Sequence, residues 1–232
     1  MLLYVIKIQK ILEKEWCELL LKEERNLLVD YGKKLITAGL TKGTGGNISF
    51  FNKREGLMAI SPSGMDYFET KPEDIVLMNL EGKVVDGFRK PSSEWRMHLI
   101  FYQNREDVKA VVHTHSMFAT TIATLRWDVP PTSYLIAYAG KKVPCAPYAT
   151  FGTQEIADAA YNTMGKEYNA VLLANHGLIA VGPNMPSAFG IAEIIEMVCE
   201  IYYRAKCVGE PTILSDDEMD LMLEKFKTYG QR

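Results

Sequence analysis

Residues 170–182 read AVLLANHGLIAVG, two short apolar runs separated by the turn-like Asn175-His176-Gly177. Runs of this length, bounded by turn residues, form buried strands, and the short connection makes them antiparallel neighbours. Working outward, KAVVHTH (109–115) is another buried strand ending in polar residues, and NISFF (47–51) and LMAI (57–60) are strand-like. IVLMNLEGKVV (75–85) reads as a hairpin turning at Glu81-Gly82. Helical patterns lie between these strands: residues 11–39, SSEWRMHLIFYQ (92–103), TQEIADAAYNTM (153–164), 186–206 and 215–230. Thr70 with Glu73, and Ser215 with Glu218, have capping-box spacing. VPCAPYATFG (143–152) has too many prolines for a regular element. Hairpins mixed with helices predict a single-domain, three-layer α/β sandwich with a central, largely antiparallel mixed sheet flanked by helices.

Composition agrees with one such domain. The chain has 232 residues, 47% of them hydrophobic and 24% charged, enough for a sizeable core and an ordinary polar surface. A net charge of −3 offers no field for nucleic acid and no basic belt for a membrane. The long uncharged stretch that includes 169–192 is broken by Gly177, Gly182, Pro183, Pro186 and Gly190, so it cannot be one spanning helix. Four cysteines without a CxxC pair fit a reducing compartment, and the N-terminus lacks the form of a signal peptide. The expectation is a cytoplasmic protein without a nucleotide-binding core, since neither GxxxxGK[ST] nor GxGxxG occurs in a strand–helix setting.

Of four histidines, three stand where strands end: His113, His115 and His176. Alternation puts His113 and His115 on one face of their strand, with Cα atoms about 6.6 Å apart. Two imidazoles so placed can converge on a metal with a third from a neighbouring strand, and three His with an open position is the pattern of catalytic zinc. The competing reading is three hydrogen-bonded core histidines. Three small turns, GTGGNIS (43–49), SPSG (61–64) and KPSSE (90–94), offer backbone N–H groups and hydroxyls for an oxyanion. Each can also be no more than a turn and a cap. Glu94 falls where PSSE enters a helix, a place that favours acidic residues for dipole reasons alone. His98 lies four residues on, along the same face, and reads as a core histidine or as a partner behind the site.

In their order along the chain, GTGGNIS, SPSG, PSSEWRMH, VVHTHS, PCAPYATFGT and ANHGLIAVG resemble the class II aldolase and adducin family. The resemblance runs from about residue 20 to the terminal KFKTYG (225–230), giving a catalytic domain over 20–232 and an N-terminal helical extension over 1–19. It implies a zinc-dependent lyase with one zinc per subunit. Such an enzyme cleaves a ketose 1-phosphate to dihydroxyacetone phosphate and an aldehyde through a metal-stabilised enediolate. The nearest likeness within the family implies L-fuculose 1-phosphate as substrate, L-lactaldehyde as the aldehyde and a place in fucose catabolism. The resemblance also implies that His113, His115 and His176 are zinc ligands, with Glu94 as acid/base and a fourth ligand in the absence of substrate. Thr44, Gly46, Asn47, Ser63, Gly64, Ser92 and Ser93 match phosphate-holding positions. Tyr134 matches a catalytic tyrosine that reaches the site from the adjacent subunit of a C4 homotetramer. Phe226 and Tyr229 match a mobile tail that closes over it. Three rivals share the fold: an L-ribulose-5-phosphate 4-epimerase, another sugar-phosphate aldolase of the same family and a metal-free adducin-like interaction module. Glu94, where such epimerases typically carry Asp, favours the aldolase, and retention of all three histidines argues against the module. No lysine stands isolated in an apolar strand, which disfavours Schiff-base chemistry.

Overall fold

The computed structural model describes residues 19–230. Strands β1 (Asn47–Asn52), β2 (Leu57–Ile60), β3 (Val76–Asn79), β4 (Val84–Asp86), β5 (Ala110–Thr114), β6 (Cys145–Ala146), β7 (Ala170–Leu173) and β8 (Gly177–Gly182) form one sheet. Their spatial order is β4-β3-β2-β1-β5-β8-β7-β6. All pairings are antiparallel except β6 with β7, so the sheet is mixed and largely antiparallel, as expected. Six α-helices flank it: α1 (Lys22–Thr37), α2 (Trp95–Asn104), α3 (Met117–Thr124), α4 (Gln154–Met164), α5 (Met185–Val208) and α6 (Asp216–Phe226).

Period-two alternation divides the core between the two faces of the sheet. Ile48, Val112, Leu178 and Ala180 face one way, packing with Leu28 and Leu35 of α1, Ile122 of α3 and Ile195 and Val198 of α5. Phe51, Val111, Ile179 and Val181 face the other way, against Met97 and Phe101 of α2 and Ile156 and Ala160 of α4. The polar residues that matter most, Asn47 and His113, lie on the second face, in line with the apolar residues that pack on α2 and α4. They are direct cross-strand partners at the ends of β1 and β5. The register that buries Val111 beside Ser49 therefore also sets Asn47 beside His113.

Several expectations are corrected. The first helix was expected to run over 11–39; residues 11–18 lie outside the described part, as does nearly all of the 1–19 extension. Within the described residues Leu21 adopts a left-handed conformation (φ 54°), so the helix starts only at Lys22. The expected Thr70/Glu73 capping box is displaced by one residue. Asp74 Oδ2 accepts from the Lys71 backbone N–H at 2.9 Å, while the Thr70 hydroxyl donates to the Asp66 carbonyl. The proline-rich 143–152 contributes β6, because a two-residue parallel pairing at the sheet edge avoids both Pro144 and Pro147. Helix α3 had no counterpart in the sequence reading. The Glu81-Gly82 hairpin forms, with Gly82 at φ 76°, and Ser215 caps α6 by accepting from the Glu218 N–H. No helix among the described residues is long and apolar enough to cross a membrane, and Cys145, Cys199 and Cys207 are free.

Candidate metal centre

His113 is the penultimate residue of β5, His115 follows just after its end, and His176 sits in the turn joining β7 to β8. Because β5 pairs with β8, these positions share one end of the sheet. Gly177 keeps the turn close: a Cβ there would collide with the Thr114 carbonyl oxygen. Glu94 arrives from the N-cap position of α2, which packs on the same face. Nitrogens of the three imidazoles and an oxygen of Glu94 lie within 4.8 Å of one another.

The donor set fits a metal ion. His113 Nδ1 is 2.9 Å from the Leu178 carbonyl, which can only accept, so that nitrogen carries the proton and Nε2 presents a lone pair to the cluster. Nε2 atoms of His113 and His115 are 3.0 Å apart, and two bare imidazole nitrogens at that distance repel unless a proton or cation lies between them. Glu94 Oε2 is 3.2 Å from His113 Nε2, and Glu94 Oε1 is 3.3 Å from His176 Nε2. Ligand atoms about 2.0–2.1 Å from a tetrahedral zinc lie about 3.3–3.4 Å from one another, close to these separations. Glu94 Oε1 is buried with no hydrogen-bond donor properly aimed at it, as befits an oxygen meant for a cation.

The electrostatics agree. Burial alone would raise the Glu94 pKa, but the neighbouring His113 and His176 rings and the hydrogen bond from the Asn47 amide outweigh it and hold the group well below the usual carboxylate range. His115 is exposed as a residue, yet its ring stands among the other ligands. Withdrawal from water, then positive charge at His113 and His176, lowers it to about 4. Withdrawal from water and positive charge at His113 likewise lower His176 to about 4. Neutral His115 and His176 beside an ionised carboxylate are the protonation states a divalent cation requires.

Above this floor opens a cleft of about 400 Å³. Thr44, Gly46, Asn47, Ser63, Gly64, Ser92, Ser93, Glu94, His115 and His176 all line it, so the three small turns converge. Gly46, at φ 67°, passes so near the His113 carbonyl that a Cβ would stand 2.7 Å from it, and its own carbonyl accepts from the Tyr67 hydroxyl at 2.8 Å. The SPSG and PSSE turns are zipped together. The Ser63 N–H donates to the Lys90 carbonyl at 3.0 Å, and the Ser92 N–H donates to the Ser61 carbonyl at 3.0 Å. Those two amides are thus committed within the protein, contrary to the simple picture of open nests. Hydroxyls of Thr44, Ser63 and Ser93 and the amides of Gly64 and Ser93 are the candidates left for an anion.

Asn47 faces Glu94, donating from Nδ2 to Oε2 at 3.0 Å, and its Oδ1 is 2.5 Å from His98 Nε2. One amide N–H remains for a ligand. Tyr134 and Tyr229 do not line the cleft of their own chain. They are 52% and 75% exposed and flank Phe226, Tyr134 stacking on it at 6.2 Å and Tyr229 meeting it edge-on at 5.7 Å. The sequence reading assigned no role to Tyr148, Ala149, Phe151 and Asn175, which also line the cleft. The signal was the PCAPYATFGT segment, conspicuous in pattern but without a group whose chemistry points to a site.

Comparison with known proteins places this chain in a family. The model of the Class II Aldolase and Adducin N-terminal domain matches residues 26–203. A 5-deoxy-D-ribulose 1-phosphate aldolase from Bacillus thuringiensis serovar kurstaki is 59% identical, over 92% of this chain and 100% of the relative. An L-fuculose phosphate aldolase from Escherichia coli K12 is 40% identical, over 90% of this chain and 98% of the relative. A solved structure of an L-fuculose 1-phosphate aldolase matches with a TM-score of 0.87 at 52% identity, covering 88% of this chain and 96% of that one. The chain belongs to the class II aldolase and adducin family, and it is a class II aldolase, with a His₃Glu cluster suited to a divalent metal.

Proposed function

We propose that this member of the class II aldolase family is a zinc enzyme that reversibly cleaves a 5-deoxypentulose 1-phosphate into dihydroxyacetone phosphate and acetaldehyde. The observation that carries the reading is the meeting of Glu94, His113, His115 and His176 beneath a cleft walled by three hydroxyl- and glycine-rich turns. The 59% identity to a 5-deoxy-D-ribulose 1-phosphate aldolase favours the five-carbon substrate. L-fuculose 1-phosphate, which yields L-lactaldehyde, is the second reading, favoured by the 52% identity to an L-fuculose 1-phosphate aldolase. Both sugars end in a methyl group, and Tyr148, Ala149 and Phe151 give the cleft an apolar wall for such an end.

His113, His115, His176 and Glu94 would hold the zinc, which would supply a Lewis acid for the ketone and its adjacent hydroxyl oxygen. Thr44, Asn47, Ser63, Gly64 and Ser93 anchor the phosphate through the donors left open by the zipped turns, and Gly46 and Ser92 shape the turns that carry them. That anchoring sets the bond between C3 and C4 against the ligand cluster. When the bond breaks, the hydroxyl at C4 gives up its proton, which ends on the ionised Glu94 carboxylate, and the electron pair of the C3–C4 bond passes to the three-carbon fragment. Glu94 returns a proton to C3 of that fragment, and in the condensing direction removes it. Because its carboxyl is held ionised at neutral pH, the group begins as an acceptor.

Tyr134 and Tyr229 act from a neighbouring subunit and from the tail, in a homotetramer with C4 symmetry. Their exposure in the single chain supports that reading, and a phenol there is suited to the proton on the aldehyde oxygen. The test is a side-by-side assay of purified protein on 5-deoxyribulose 1-phosphate, L-fuculose 1-phosphate and L-ribulose 5-phosphate. The first should give the highest kcat/KM and release acetaldehyde. Higher kcat/KM on L-fuculose 1-phosphate would favour the second reading, and epimerisation of L-ribulose 5-phosphate without cleavage would overturn both.

A further inference from the structure

We propose that His98 is a positioning residue that fixes the Asn47 amide so that it donates to Glu94. The inference rests on Glu94 being the proton-transfer group and deepens that reading. His98 is fully buried on α2 and touches no ligand of the cluster through a hydrogen bond. Its Nε2 lies 2.5 Å from Asn47 Oδ1 and its Nδ1 lies 2.7 Å from Ser49 Oγ, which is in turn 2.6 Å from the Tyr102 hydroxyl.

The direction of every proton in this chain follows from its two ends. An ionised Glu94 only accepts, so Asn47 must turn its NH₂ toward it and its oxygen toward His98. An amide oxygen only accepts, so His98 Nε2 must carry the proton. Burial keeps the ring neutral, with its pKa lowered to about 3, so Nδ1 is bare and Ser49 must donate to it. Ser49 then accepts from Tyr102. Four side chains from β1 and α2 thus point their donors one way, ending on Glu94 Oε2. Without the His98 donor the Asn47 amide could flip, setting an oxygen against the carboxylate. A core histidine satisfied for packing alone needs no such polarity.

The chain holds only four histidines, which makes the tautomer measurable in the intact zinc-loaded protein by ¹⁵N NMR. The expected result at neutral pH is a neutral His98 with its proton on Nε2; a proton on Nδ1, or a cationic ring, would overturn the proposal. In turnover, His98→Leu should lower kcat by about 10- to 100-fold with KM and zinc content little changed, the scale typical of groups that orient a site from behind. His98→Gln, which keeps an N–H for Asn47, should recover most of that loss. Unchanged kcat in His98→Leu, or a Gln variant no better than Leu, would overturn the proposal. If the Leu variant does not fold, the tautomer and the Gln variant still decide. A double-mutant cycle separates this inference from the role of Glu94. Where Glu94→Gln already costs turnover, adding His98→Leu should cost little more; a full additional loss would mean that His98 acts by another route. If Glu94→Gln alone keeps turnover, the Glu94 reading itself fails, whatever tautomer His98 adopts.

Discussion

The ligand cluster and the aromatic trio Tyr134, Phe226 and Tyr229 are held by opposite means. Three of the four ligands are placed by something rigid: His113 by β5 and a hydrogen bond to the Leu178 carbonyl, His176 by the β7–β8 turn, Glu94 by the start of α2 and the Asn47 amide. His113 is fully buried, and Glu94 is nearly so. The aromatic trio is held by ring contacts at 5.7 and 6.2 Å, with Tyr134 and Tyr229 open to solvent on a short 3₁₀ segment and past the end of α6. The contrast separates two tasks. On the reading proposed above, groups assigned to the cation and the proton are set by sheet register, whereas those assigned to a second subunit or to the tail stand at the surface.

Substitutions in the two regions should therefore fail differently. His113→Ala should have the largest effect, removing bound metal and abolishing cleavage; metal analysis beside an aldehyde-release assay checks both, and full activity would break the rigid half of the contrast. Glu94→Gln keeps shape and polar contact but loses the base, and turnover should fall about 10²–10⁴-fold. A Gln variant within about threefold of wild type would mean that another group moves the proton. Tyr229→Phe should lower kcat by no more than about tenfold and leave metal content untouched, the weaker end of acid–base contributions. Metal loss in that variant would show that tail and cluster are not independent. Ser215→Ala removes the cap of α6 and should cost about 1 kcal/mol in a denaturant titration, with little change in metal affinity.

The same contrast governs what the chain reveals when read without a structure. His113 and His115 were legible because period-two spacing at a strand end is local information, and His176 because an Asn-His-Gly turn separates two apolar runs. Convergence of the three turns was legible only through resemblance, since Gly46, Ser63 and Ser92 are brought together by the pairing of β1, β2 and β5 and by the Pro62–Pro91 bridge. His98 could be placed on the Glu94 face of a helix, but its partner Asn47 lies 51 residues away and depends on register. Arg25 shows the limit most clearly. In the sequence it is one more charge in KEERN, yet it is fully buried, bonding the Pro72 and Ile75 carbonyls and Asp86. β6 stayed hidden because two residues at an edge carry no periodicity. The left-handed Leu21 that starts α1 carries none of the usual helix-start residues.

The most direct test of the account is metal removal from the wild-type enzyme, followed by metal return, with turnover of 5-deoxyribulose 1-phosphate measured at each stage. Protein as purified should carry about one zinc per chain, lose cleavage on exhaustive chelation and regain it on stoichiometric zinc, as expected of a site with three His and one carboxylate. Undiminished turnover by protein shown to be free of metal would contradict it.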